Sequence, residues 1–80
     1  MFQQSWSAPV VVRLRSNVRI VRTTSQATEC LTDEWPAPRS KPYDVALQAC
    51  VDCFEGHMPT EQVRRIFIAA CSDAGILIKP

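Results

Sequence analysis

Eighty residues with 46% apolar and 8% aromatic side chains suffice for one small domain with a thin, largely aliphatic core, and exclude a disordered chain. The longest apolar run, Ile66–Cys71, is far short of the roughly 20 residues of a membrane-spanning helix, and the start MFQQSWSAP lacks the basic and apolar regions of a secretory signal, so a soluble cytoplasmic protein is expected. The net charge of +1 conceals a partition: residues 1–23 hold four arginines and no acid, whereas residues 24–80 hold five bases against eight acids.

Residues 1–8 are polar and expected to fray, which leaves 9–80 as a single small domain. The stretch PVVVRLR-SN-VRIVR alternates with period two on both sides of Ser16-Asn17 and predicts a β-hairpin, with asparagine tolerating the left-handed backbone of such turns. Continuing the alternation through the turn gives one face of Val10, Val12, Leu14, Val18 and Ile20, and a solvent face carrying Arg13, Arg15 and Arg19, with Arg22 near its end.

Thr24 and Ser25 offer an N-cap for a first helix of about ten residues. Its apolar stripe is Ala27, Cys30, Leu31 and Trp35, its outward acids are Glu29, Asp33 and Glu34, and Pro36 and Pro38 stop it. Pro42 suits the first turn of a second helix whose stripe is Tyr43, Ala46, Leu47, Cys50, Cys53 and Phe54, closed by Gly56. Thr60 caps a third helix, with Glu61 favouring its dipole, a stripe of Val63, Ile66, Phe67, Ala70 and Ala74, and Gly75 at its end. Ile76-Leu77-Ile78 either adds a short third strand to the hairpin or packs across the core. The order is ββααα with an optional final β. An isolated hairpin is marginal in water, so the three helices should cover its apolar face in a two-layer α+β domain.

Trp35-Pro36 at the end of the first helix is followed by Tyr43, Ala46 and Cys50 on the second. Gly56 then precedes a helix with Arg65, Phe67, Ala69, Ala70, Ala74 and Gly75. In order and spacing this series, with the valine-rich strand pair before it, resembles the domain of unknown function 982 family of short alpha-proteobacterial proteins, over most of the chain. The chain departs from the family pattern where Val63 precedes Arg64 and Arg65, since the pattern places Ala before Arg. The resemblance implies no catalytic residue.

Four constellations bear on chemistry. Cys50-Val51-Asp52-Cys53 is a CxxC whose thiols share a helix face and could hold a metal with Cys30, Cys71 or His57. It lies in mid-helix without a second ligand pair, so the cysteines read as reduced, buried small hydrophobes, and no cofactor is expected. His57 is the sole histidine, and Gly56 breaks the helix that would align it with Cys53 as a nucleophile pair. The scattered acids form a solvated face, so the chain reads as a non-enzyme.

The third constellation is the set Arg13, Arg15, Arg19 and Arg22. Its plain role is to keep an exposed sheet face soluble and unpaired. Its functional roles are to bind an acidic protein partner or, secondarily, nucleic-acid phosphates, although it has no aromatic side chains to stack on bases. The fourth is Trp35 and Tyr43 beside Arg39 and Lys41, which are either core side chains or the wall of a small pocket. The expected function is a non-catalytic protein-interaction or regulatory module, with a homodimer as one form of association, a weak nucleic-acid-binding module as the alternative, and a cysteine-bound metal site as the third.

Overall fold

A computed structural model of the chain describes residues 5–15 and 17–80. Strands β1 (Ser5–Arg13) and β2 (Val18–Thr23) form the hairpin, and helices α1 (Thr24–Asp33), α2 (Lys41–Phe54) and α3 (Thr60–Ala74) follow. The final strand β3 (Leu77–Lys79) returns antiparallel to β1, so the sheet order is β2-β1-β3 with β1 in the centre. This is the α+β arrangement expected, with the third strand formed. Helices α1 and α3 pack against the sheet and α2 packs against those two helices, and among the described residues no element covers the outward-facing Val18 and Ile20. Among the described residues no helix is long and apolar enough to cross a membrane.

The N-terminal boundary needs correction. Residues 5–8, expected to fray, form the start of β1, and residues 1–4 lie outside the described residues. Trp6 anchors this extension. Its ring is buried 5.5 Å from Phe67, and its indole N–H donates to Thr24 Oγ1 at 3.2 Å. On the same stretch Ser7 donates from both its backbone and its hydroxyl to the Glu61 carboxylate, and Arg64 Nε donates to the Ala8 carbonyl. Pro9 falls where the β1–β2 pairing shifts register between Ser5 and Val10, a position that tolerates the loss of a ladder donor.

The faces of β2 also need correction. The register pairs Val10 with Val21, Val12 with Arg19, and Arg13 with Val18. Directly opposed residues share a face, so even positions of β1 align with odd positions of β2. The inner face therefore holds Val10, Val12, Leu14 and Val21, all buried, while Val18 and Ile20 point outward at 54% and 45% exposure. Alternation within each strand is intact, but its parity flips at the turn.

The helices form where the sequence predicts, with local differences at their ends. Thr23, not Thr24, is the N-cap of α1 and accepts from Gln26 N–H, while Thr24 is buried beneath Trp6. Pro59, not Thr60, occupies the N-cap position of α3. Gly56 and Gly75 have φ of 80° and 73°, and each lets the next residue's N–H reach five carbonyls back, His57 to Asp52 and Ile76 to Cys71. Phe54, assigned to the α2 stripe, is exposed at its edge, and Ala49 is buried in its place. A row of tilted rings runs through the core: Trp6 on Phe67 at 5.5 Å, Phe67 on Trp35 at 6.3 Å, and Trp35 on Tyr43 at 5.5 Å. Among the described residues no buried side-chain nitrogen or oxygen lacks a hydrogen-bond partner.

Candidate functional site

The four hairpin arginines are not one face. Arg13 and Arg22 stand exposed on the outer sheet face, and Arg15 lies beyond the end of β1 at the turn. Arg19 is directed the other way, because its partner across the ladder is the inward-facing Val12. At the open edge of the sheet it reaches α1, where it contacts Glu29 at 2.5 Å and Glu34 at 3.3 Å, with only 27% of its side chain exposed. Its hydrogen bond to Glu29 holds its pKa above the ordinary arginine value. Arg19 thus fastens α1 to β2 and is withdrawn from the set of candidate binding arginines.

The outer face that remains combines Arg13 and Arg22 with the exposed side chains of Val18 and Ile20 and the half-buried Val11. Ile78, on β3 next to the shift in the β1–β3 pairing, is exposed as well. The surface is apolar and basic, with no aromatic side chain among these residues.

The cysteines point into the core. All four are buried. Cys50 meets the Thr28 side chain, and Cys53 Sγ lies 3.7 Å from Thr24 Oγ1. Burial raises the pKa of Cys50, and pushes Cys30 up to about 11 and Cys71 up to about 12. Metal ligation and nucleophilic attack both need the thiolate, which burial disfavours at Cys30, Cys50 and Cys71. His57 is exposed, with Glu55 at 3.9 Å, while Cys53 faces the core from the preceding helix. The sequence reading did not group Asp52, Glu55 and His57, whose ligand atoms lie within 4.8 Å of one another on the surface. They are brought together because the chain reverses at Gly56.

The turn and the loop between α1 and α2 enclose a pocket of about 410 Å³. Arg15, Asp33, Trp35, Arg39 and Tyr43 contribute to its walls. Tyr43 is buried, and its hydroxyl donates to the Leu31 carbonyl at 2.6 Å. The Arg39 guanidinium sits over the Tyr43 ring, 5.4 Å from its centroid. Trp35 and Tyr43 are therefore buried core residues that also line the pocket, whereas Lys41 is not among its lining residues. A smaller hollow of about 220 Å³ lies at the turn between Arg13, Arg15, Asn17 and Val18.

No curated protein matches the chain. Among solved structures, the NMR structure of the Agrobacterium tumefaciens protein Atu1219 is similar, with a TM-score of 0.78 and 30% sequence identity over 95% of this chain and 77% of that one. The family model described as a protein of unknown function, DUF982, matches residues 8–78, from the end of the Trp6 extension through β3. The chain belongs to the DUF982 family.

Proposed function

We propose that this domain is a non-catalytic protein-interaction module, working in a reducing compartment such as the cytoplasm, and that its docking face is the outer side of the sheet. The observation that carries the proposal is the exposure of Val18 and Ile20 beside Arg13 and Arg22, on a face that no element covers among the described residues. The partner is a protein segment that offers apolar side chains ringed by acids. Burial of the valine and isoleucine supplies affinity, and the arginines supply orientation and a faster encounter. Diversion of Arg19 into an intramolecular ion pair supports a protein partner over nucleic acid, since only two outer-face arginines remain and none of the face residues can stack on a base. The buried, high-pKa thiols and the exposed His57 support the non-catalytic reading.

The test is co-purification from the native host with the full chain, followed by calorimetry with each captured protein made separately. Val18→Glu/Ile20→Glu and Arg13→Glu/Arg22→Glu should each weaken a genuine partner by about tenfold or more, the equivalent of about 1.4 kcal/mol. Arg65→Glu, on α3, should not. Unchanged binding in both outer-face variants overturns the proposal. So does salt-dependent binding of labelled DNA or RNA that those variants abolish, which would make the face a phosphate-binding surface. A concentration-dependent dimer in sedimentation, lost in the Val18→Glu/Ile20→Glu variant, would make the occupant a second copy of the chain.

A further inference from the structure

We infer that the pocket between the hairpin turn and the α1–α2 loop binds a small ligand bearing an oxyanion, a carboxylate or phosphate, together with a hydroxyl or amine, and that Arg15 and Arg39 grip the oxyanion. The site is separate from the outer sheet face and does not depend on it. Arg15 and Arg39 both line the cavity, and neither has an ion-pair partner among the described residues. Segments more than twenty residues apart bring two guanidinium groups and one carboxylate, that of Asp33, to the lining of one concavity, which leaves it net positive and attractive to an anion. The guanidinium fork matches carboxylate and phosphate geometry.

The wall that carries Arg39 is held in place. Arg39 rests on Tyr43, Tyr43 is fixed by its bond to Leu31, and Trp35 packs against the same ring. Pro36 and Pro38 restrict the loop that carries Arg39. Ordering of that wall therefore costs affinity little. The volume of about 410 Å³ lies within the range of small-molecule sites, roughly 300–1,000 Å³. Asp33, on the same wall, supplies an acceptor, so a ligand that also carries a hydroxyl or amine donor is favoured over a bare anion.

The experiment is an NMR titration of the full chain, following the Trp35 indole N–H and the Arg39 amide. The probes are glycerol 3-phosphate, inorganic phosphate and malate, each against sodium chloride at equal ionic strength. The expected result is saturable shifts confined to the pocket, with a hydroxyl-bearing probe binding more tightly than inorganic phosphate. The tighter of malate and glycerol 3-phosphate identifies the oxyanion as carboxylate or phosphate. Arg15→Gln and Arg39→Gln should each weaken binding by about tenfold, the worth of one charge-assisted contact, while Arg22→Gln leaves it unchanged. Asp33→Asn should tighten inorganic phosphate and narrow the advantage of glycerol 3-phosphate over it, a reversal that simple loss of structure would not produce. Shifts that track ionic strength without saturation, or an affinity that survives both arginine substitutions, overturn the assignment.

Discussion

The two faces of the sheet are built from the same residue types yet have opposite fates. Val10, Val12, Leu14 and Val21 on the inner face are buried in the core beneath the helical layer, while Val18 and Ile20 on the outer face meet solvent. Each face carries valines, and each receives an arginine from β2, Arg19 inward and Arg22 outward. Composition therefore does not decide which face forms the core. The ladder register and the helices that follow decide it, and the register makes one arginine a tie to α1 while leaving another in water.

The largest expected effect breaks this comparison outright. Val21→Asp would place an unpaired carboxylate in the core at a cost of more than about 4 kcal/mol, a large share of what a domain this size has, and should abolish cooperative thermal unfolding. Ile20→Asp, one residue away on the same strand, should shift stability by no more than about 0.5 kcal/mol. Equal damage from the two substitutions would mean that the register is wrong.

A second substitution tests the part of the inner face that begins before the hairpin proper. Trp6→Ala removes a ring packed at a tilt on Phe67 and the donor to Thr24, and should cost about 3–5 kcal/mol in chemical denaturation. An N-terminus that contributes nothing to the fold would predict no change.

These two tests also mark the limits of what the sequence disclosed. The hairpin, the three helices, both glycine stops and the burial of the cysteines were legible because each depends on local periodicity or local backbone geometry. Trp6 was not, because its partners Thr24 and Phe67 are 18 and about 60 residues away and a single tryptophan in a polar segment has no period. The face of β2 was misjudged because VRIVR offers apolar residues at both parities, and only the pairing across the turn chooses between them. Arg13, Arg15 and Arg22 were rightly placed in solvent, whereas Arg19 followed the strand's flipped parity inward. The pocket escaped definition because Arg15 and Arg39 lie 24 positions apart and line one cavity only through the tertiary placement of the end of β1 beside the α1–α2 loop. Trp35, Tyr43 and Arg39 beside it were the one signal that pointed there.

A pH titration probes how dry the inner layer is. Cys30 and Cys71 have folded pKa values raised to about 11 and about 12 by burial, above the ordinary thiol value that they regain on unfolding. Groups raised in the folded state stabilise it fully below the unfolded pKa and lose that contribution as pH climbs through the folded value. Stability should therefore hold steady through pH 8 and decline from about pH 9 upward, in the window between the unfolded and folded thiol pKa values. In the Cys30→Ala/Cys71→Ala double variant the slope of that decline should flatten, whatever the variant's absolute stability. An unchanged slope would mean that water reaches the thiols.

The smallest effect sharpens the contrast between the inward and outward arginines. Arg19 bridges two carboxylates of α1 from the sheet edge, so its charge should matter, but both partners are part-exposed and screening limits the gain. Arg19→Met keeps most of the aliphatic stem and removes only the charge. The expected loss is about 0.2–1 kcal/mol at low salt, and it should shrink in molar sodium chloride as the ion pairs of the parent weaken. Arg13→Met, on the outer face without a carboxylate partner among the described residues, should be neutral or slightly stabilising at every salt concentration. A salt-sensitive loss at position 19 with none at position 13 would show that the parity flip, and not charge density along the hairpin, sets what each arginine does. The same response at both positions would return Arg19 to the solvent face and restore the four arginines as one surface.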